Sequence, residues 1–213
     1  MNGSEIVTAA NRATACEKIA IALLAGGLSQ RYAKGDKLLA PWRSKPLIQH
    51  AMEALAAQPV EAAQFGIRWA VVAPGKPQLA QLLERGGYTI LTTEAPPHGM
   101  GYSIATAARA ALNTQAEALL VCLGDMPLVS AATLGKLVHV LASRPQATIA
   151  VSGNQRRTPP VLFRRCHFAE LALLADDNGG KALFQRHAKS LVAIDLPAAE
   201  QLDFDREADF LQA

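Results

Sequence analysis

The sequence predicts an α/β fold, one three-layer α/β/α domain built on a mostly parallel sheet. Two observations carry that prediction. Short runs that are apolar at every position alternate with longer segments whose apolar residues fall at helical spacing. That is the pattern of strands buried on both faces and separated by crossover helices. The runs also end in glycine-containing turns, Gly26-Gly27 after the first and Gly124-Asp125 after a later one. In open α/β sheets such carboxyl ends of strands are where ligands collect.

The run 19–24 reads as the first strand, and a helix over 46–57 follows, with Leu47, Ile48, Ala51 and Leu55 near helical spacing. A strand over 67–73, a Pro-Gly turn and a helix over 77–85 come next. The alternation continues with a strand over 88–91, an Ala-rich helix over 102–112, a strand over 118–123, a helix over 131–142 and a strand over 148–152. Beyond Ser152 the pattern loosens. Helices over 166–174 and 180–187, a strand over 191–196 and a short tail helix complete the reading.

A chain of 213 residues, half of them hydrophobic, suits one domain with a full core. Residues 1–18 read as an N-terminal extension and 19–213 as the domain. No apolar run reaches the ~18 residues of a membrane span. The first residues also lack the apolar stretch of a secretory signal, so a cytoplasmic protein without membrane partners is expected. The cysteines Cys16, Cys122 and Cys166 form no CxxC pair, and Cys122 reads as core filler. Net charge is +3, with basic residues scattered rather than striped. That argues against nucleic acid and suits a small polyanion.

Several segments could carry chemistry. In Leu23 to Lys37, glycines after a strand let backbone N–H groups approach phosphate oxygens, with Arg31 and Lys37 as countercharge. The segment is neither a Walker A loop nor a GxGxxG fingerprint, and a Gly-rich turn with solvated basic residues remains open. Asp125, in Gly124-Asp125-Met126-Pro127, is a carboxylate at the end of a buried strand, costly unless paired or bound to a cation. Mg²⁺ would suit it, because that ion takes one or two carboxylates plus phosphates. A cap for the following helix is the other role, but Ser130 can serve there. Gly99-Met100-Gly101-Tyr102-Ser103 opens the Ala-rich helix, and Ser103 with free N–H groups could bind an anion or a base edge. His98 reads as a loop histidine. Gly179, Gly180 and Lys181 could hold a second phosphate or form an ordinary turn. Asp203 to Asp209 reads as a capped helix start or as a source of a further metal ligand.

In this order, the segments resemble the molybdenum cofactor nucleotidyltransferase family, the cytidylyl- and guanylyltransferases of the wider Rossmann-like GT-A fold. The resemblance spans residues 19–210. It rests on Leu24-Ala25-Gly26-Gly27-Leu28-Ser29-Gln30-Arg31 with Lys37, on Gly124-Asp125-Met126-Pro127 and on Asp203-Phe204-Asp205-Arg206-Glu207-Ala208-Asp209. Gly99-Met100-Gly101-Tyr102-Ser103, Pro160-Val161-Leu162-Phe163 and Asp177-Asn178-Gly179-Gly180-Lys181 are similar to loops of the cytidylyl branch. The chain departs from the family pattern at Tyr32, where Met is usual, and in the extra Ala33-Lys34.

The resemblance implies a nucleotide held by Leu24, Ala25, Gly26, Gly27, Ser29, Arg31, Lys37, Gly101 and Ser103. Arg31, Lys37 and Asp125 would be catalytic, and Asp125 and Asp205 would hold Mg²⁺, with Asp203 behind Asp205. Gly179, Gly180 and Lys181 would meet the second substrate's phosphate. That substrate would be molybdopterin, and a molybdoenzyme apoprotein is a further partner the resemblance allows. The acceptor phosphate is already a nucleophile at neutral pH, so no protein base is required, and no compelling histidine–carboxylate pair is legible. Leu24-Ala25-Gly26-Gly27 leans to GTP, whereas the middle and C-terminal loops lean to CTP and tip the balance that way. Transfer to a sugar phosphate or another small phosphate, and a non-catalytic cofactor carrier, are the other readings.

Overall fold

The computed structural model describes residues 18–27, 29, 31–57, 64–93, 99–153, 157–175 and 180–212. The chain runs β1 (Lys18–Ala25), β2 (Pro41–Trp42), β3 (Lys45–Pro46), α1 (Leu47–Ala56), β4 (Gln64–Val72), α2 (Pro77–Arg85), β5 (Thr89–Thr92) and α3 (Met100–Leu112). It continues through β6 (Ala118–Leu123), α4 (Ala131–Ser143), β7 (Ile149–Ser152), β8 (Thr158–Arg164), α5 (Phe168–Leu171), α6 (Lys181–Arg186), β9 (Leu191–Ile194) and α7 (Asp209–Gln212).

A seven-stranded sheet has the order β5-β4-β1-β6-β8-β7-β9. Strands β5, β4, β1 and β6 are parallel, β8 runs antiparallel to both its neighbours, and β7 and β9 are again parallel. Strand β1 lies inside the parallel part of the sheet, paired on one side from Lys18 to Ala25 with β4 and on the other with β6.

Strand β1 is apolar at consecutive positions because both its faces are covered. Ile19, Ile21 and Leu23 point into one core cluster with Leu47, Ile48 and Leu79 of α1 and α2 and with Leu134 and Leu137 of α4. Ala20 and Ala22 point into the other, with Ala107, Ala108 and Ala111 of α3 and with Phe163, Phe168 and Phe184. Alanine on both the strand and the helix lets α3 lie close to the sheet, which accounts for its Ala-rich composition. Cys122 fills the first cluster, and burial pushes its thiol pKa up. Ser130 caps α4, its Oγ accepting from Thr133 N at 3.2 Å, so Asp125 is free of that duty.

Several features differ from the sequence expectation, among them the short hairpin β2–β3. Residues 158–164 form β8, an antiparallel insert that Pro159 and Pro160 conceal, because proline reads against a strand. Its Val161 to Arg164 nevertheless pair with β6. The tail helix begins at Asp209 rather than near Asp203, and Asp209 Oδ2 accepts from the N–H groups of Asp205 and Arg206 at 2.8 and 2.6 Å. Among the described residues no helix is long and apolar enough to cross a membrane.

The tail is anchored by Phe204, 1% exposed. Its N–H donates to the Asp125 carbonyl at 2.9 Å. Its ring meets Trp42 and Phe210 edge-on at 5.1 and 5.3 Å. Phe204→Ala is expected to cost about 3–5 kcal/mol in urea unfolding, the range for a buried aromatic. A loss under about 1 kcal/mol would show that the tail is not part of the core.

Candidate functional site

The end of β1 and the end of β6 are joined by one more ladder step, Gly124 N–H to the Leu24 carbonyl at 2.9 Å. Space for a side chain is tight there: a Cβ on Gly124 would lie 3.1 Å from Ile48 Cδ1 and 3.2 Å from Leu24 O, so a neighbour would have to give by a few tenths of an ångström. This close approach sets Asp125 beside the loop that leaves β1.

That loop closes on itself. Ser29, at the left-handed φ of 53°, accepts from Lys37 N at 3.2 Å through Oγ and donates to Asp36 Oδ1 at 3.3 Å. Asp36 Oδ1 also accepts from Leu38 N at 3.1 Å and caps the single 3₁₀ turn Lys37–Leu39. From outside, Lys76 donates to the Gly27 carbonyl at 2.5 Å and pairs with Asp36 Oδ2 at 3.0 Å. Lys76 lies just before α2 and carried no signal in the sequence.

Lys37 is the hub. Its side chain is 7% exposed, and Nζ donates to Asp125 Oδ2 at 2.7 Å and to Asp205 Oδ1. Arg31 Nη1 takes the other Asp205 oxygen at 3.1 Å. Burial would lower the Lys37 pKa, but the charge of Asp125 and the hydrogen bonds to Asp125 and Asp205 outweigh it and hold the ammonium above the ordinary lysine value. Burial pushes Asp125 above the usual carboxylate value even against Lys37, with the charges of Asp205 and Asp203 adding to it. For Asp205 burial acts upward, but Lys37 and Arg31 prevail and hold it down.

The departures at Tyr32 and Lys34 are structural joins between loop and tail. The Tyr32 ring lies 5.3 Å from that of Phe210, and Lys34 Nζ pairs with Glu207 at 2.8 Å. Both ends of this lysine–glutamate pair are solvated, so the ring contact is the stronger tie.

Leu24, Ala25, Gly26, Gly27, Ser29, Arg31, Lys37, Asp125 and Asp205 therefore gather at one end of the central strands. Gly101 and Ser103 join them from the first turn of α3. A Cβ on Gly26 would sit 3.0 Å from Ser103 Oγ and 3.5 Å from Thr93 Cγ2, so the glycine keeps a narrow gap open between loop and helix. Thr93 is buried and its hydroxyl has no partner among the described residues, a polar atom available to a ligand. Asp203 is exposed, two residues before Asp205 in the chain. Gly180 and exposed Lys181 open α6, which packs through Leu183 and Phe184 in the second core cluster, and the network centred on Lys37 does not include them. Gly179 and His98 lie outside the described residues. A histidine–carboxylate pair, not legible in the sequence, does form: His187 Nε2 lies 2.7 Å from Glu170 Oε2, far from Asp125.

The donor set fits a divalent cation. Two carboxylate oxygens, Asp125 Oδ2 and Asp205 Oδ1, converge on one cationic centre, now the Lys37 ammonium. Two carboxylates with room for phosphate oxygens are what Mg²⁺ uses.

Such a convergence, at the carboxyl ends of parallel strands and beside a glycine loop, is the layout of a nucleotide-handling α/β domain. The match to family models agrees with it. Residues 21–191 match the MobA-like NTP transferase domain, and the chain belongs to that family. A molybdenum cofactor guanylyltransferase from Xanthomonas euvesicatoria pv. vesicatoria (strain 85-10) is 36% identical over 116 residues, 54% of this chain and 51% of that protein. The chain thus spans about half the length of the curated relative it matches. Among solved structures, Rv0371c from Mycobacterium tuberculosis H37Rv superposes with a TM-score of 0.73 at 22% identity, covering 92% of this chain and 97% of that one. Its manganese complex gives 0.69 at 20% identity over the same shares, 92% and 97%. These likenesses establish the fold.

Replacing Lys37 with Met should leave Asp125 without its counter-ion and cost about 1–3 kcal/mol, less than the 3–5 of a fully buried pair because both carboxylates keep some water. Adding Asp125→Asn to that variant should restore part of the loss. A double-mutant cycle in urea checks this, and equal losses in both backgrounds would show that the two do not interact.

Proposed function

We propose that this domain transfers a nucleotidyl group from a nucleoside triphosphate to the terminal phosphate of a molybdopterin-type acceptor, releasing pyrophosphate. The observation that carries the reading is the shared ammonium of Lys37 between Asp125 and Asp205, set against the Ser29–Asp36 loop.

In this reading an acceptor phosphate oxygen forms a bond to the α-phosphorus. The bond from that phosphorus to the bridging oxygen breaks, and pyrophosphate takes the electron pair. The nucleophile is already ionised near neutral pH, so the protein's part is positioning and charge. Backbone N–H groups of the glycine loop face the triphosphate. Lys37 and Arg31 turn from the carboxylates to the phosphate oxygens. Asp125 and Asp205, freed of Lys37, would hold Mg²⁺, which when bound neutralises phosphate charge. Ser103, Gly101 and the free hydroxyl of Thr93 border the gap beside Gly26, where a base edge fits. Gly179, Gly180 and Lys181 are the proposed contacts to the acceptor.

CTP is placed first as donor, because three separated segments resemble the cytidylyl branch. GTP is the second reading, supported by Leu24-Ala25-Gly26-Gly27 and by the guanylyltransferase relative. Labelled CTP or GTP with Mg²⁺ and molybdopterin should release pyrophosphate, and Asp125→Asn should lower the rate by about 10²–10³-fold, the scale of a lost charge-stabilising group. No release from either nucleotide overturns the proposal, and turnover with a sugar phosphate alone would reassign the acceptor. Gly26→Ala should weaken nucleotide-induced thermal stabilisation while leaving the nucleotide-free melting temperature nearly unchanged.

A further inference from the structure

At the other end of the sheet, two histidines and a glutamate meet. His167 closes the 3₁₀ turn Arg165–His167 after β8, Glu170 follows in α5, and His187 ends α6. They lie beside Thr148 and Ser190, which precede the first residues of β7 and β9. Strand β7 runs in the same sense as β6, so this is the amino end of the strands, the end opposite Asp125.

The hydrogen bonds around His167 run in one direction. Ser190 Oγ donates to the His187 carbonyl at 3.3 Å, and a carbonyl can only accept. The Ser190 proton is thereby used, so Thr148 Oγ1 donates to Ser190 Oγ at 2.9 Å. The Thr148 hydroxyl must then accept from His167 Nε2, 2.8 Å away. His167 is left as the Nε2–H tautomer, with the lone pair on Nδ1. Burial, followed by the neighbouring His187, lowers its pKa. This Nδ1 lies 4.0 Å from Glu170 Oε2, so two acceptors stand near each other with no proton between them. The same Oε2 lies 2.7 Å from His187 Nε2, and the two rings sit edge to face at 4.5 Å. All three ligand atoms fall within 4.8 Å of one another.

We propose that His167 Nδ1, His187 Nε2 and Glu170 Oε2 form a binding site for a divalent transition metal, with Zn²⁺ the occupant. Two imidazoles and a carboxylate are a zinc donor set, with a fourth position open to water. Ligands around a tetrahedral zinc at 2.0–2.1 Å lie about 3.3 Å apart, so the present spacings close with small side-chain rotations. The Thr148 hydroxyl supplies what a metal-bound histidine needs, an acceptor for its other ring N–H that fixes tautomer and orientation. Arg186 pairs with Glu170 Oε1, which leaves Oε2 as the single ligand oxygen, and its mostly exposed side chain can swing clear of the ion. To bind through Nε2, His187 carries its ring proton on Nδ1. The ion would tie α5 and α6 to the β7–β9 edge, with no part in transfer at the far end. Mg²⁺ does not compete well here, since it prefers oxygen ligands.

The test uses the full chain, stripped with a chelator and held in millimolar Mg²⁺ to occupy oxygen sites. Zn²⁺ titration by calorimetry should show one site per chain, with a melting temperature that rises on binding. Co²⁺ should give a visible d–d spectrum. His187→Asn, at a partly exposed position, and Glu170→Gln should each weaken Zn²⁺ binding at least tenfold and abolish the Co²⁺ spectrum. Asp125→Asn should leave both intact. Absence of stoichiometric Zn²⁺ binding by the unaltered chain overturns the site, as does binding that persists unchanged in His187→Asn and Glu170→Gln.

Discussion

The ammonium of Lys37 between Asp125 and Asp205 is the constraint on which the candidate site depends. It joins three stretches remote in sequence: the loop leaving β1, the turn leaving β6 and the C-terminal tail. A carboxylate at the end of a buried strand must be compensated. Here the compensation is a lysine whose own burial would be unfavourable without the acids. Each group makes the others tolerable, so the three behave as a unit. The backbone follows the same join, since Phe204 N–H rests on the Asp125 carbonyl and Arg31 holds the second oxygen of Asp205.

That arrangement changes the argument for a metal. From sequence, Asp125 reads as a metal ligand because Ser130 can serve as the helix cap and a carboxylate ending a buried strand needs a pair or a cation. The structure supplies one in Lys37, so the cost of burial alone no longer demands an ion. What favours the ion instead is convergence. Two carboxylate oxygens meet at one point, and the side chain between them is a flexible four-carbon stem that can leave for a phosphate. In the proposed reading, the group that balances the two carboxylates here is the one that would meet the triphosphate.

Much of the fold was legible. Strands β1 and β6 lie buried on both faces, so their residues are apolar without interruption, and glycine marks where each ends. Helices α2 and α4 show apolar residues at one spacing and a proline or serine at the start. Strand β8 was hidden because Pro159 and Pro160 suppress the strand signal, while the pairing that makes it a strand comes from distant β6. The hairpin β2–β3, two residues on each side, is too short for any periodicity. Within the site, Asp125 was legible from its own surroundings, but Asp205 only through resemblance, since nothing local distinguishes it from Asp203. Lys76 could not be found, because its partners, Gly27 and Asp36, are set by the packing of α2 against the loop.

The histidines illustrate the same limit from the other direction. His167 and Glu170 stand three apart, a spacing too common to mean anything alone. His187 reaches them only because α6 folds back over α5 and packs Phe184 on Phe163, ring centroids 6.2 Å apart. What gives the trio meaning is a proton direction, imposed by the Ser190–Thr148 chain, that leaves a lone pair on Nδ1 near a carboxylate. The two ends of the sheet thus differ in kind. One presents carboxylate oxygens and backbone amides, suited to a hard cation with phosphates. The other presents imidazole nitrogens around a single oxygen, suited to a softer ion. Donor chemistry, rather than distance alone, would keep two metals apart in a domain this small.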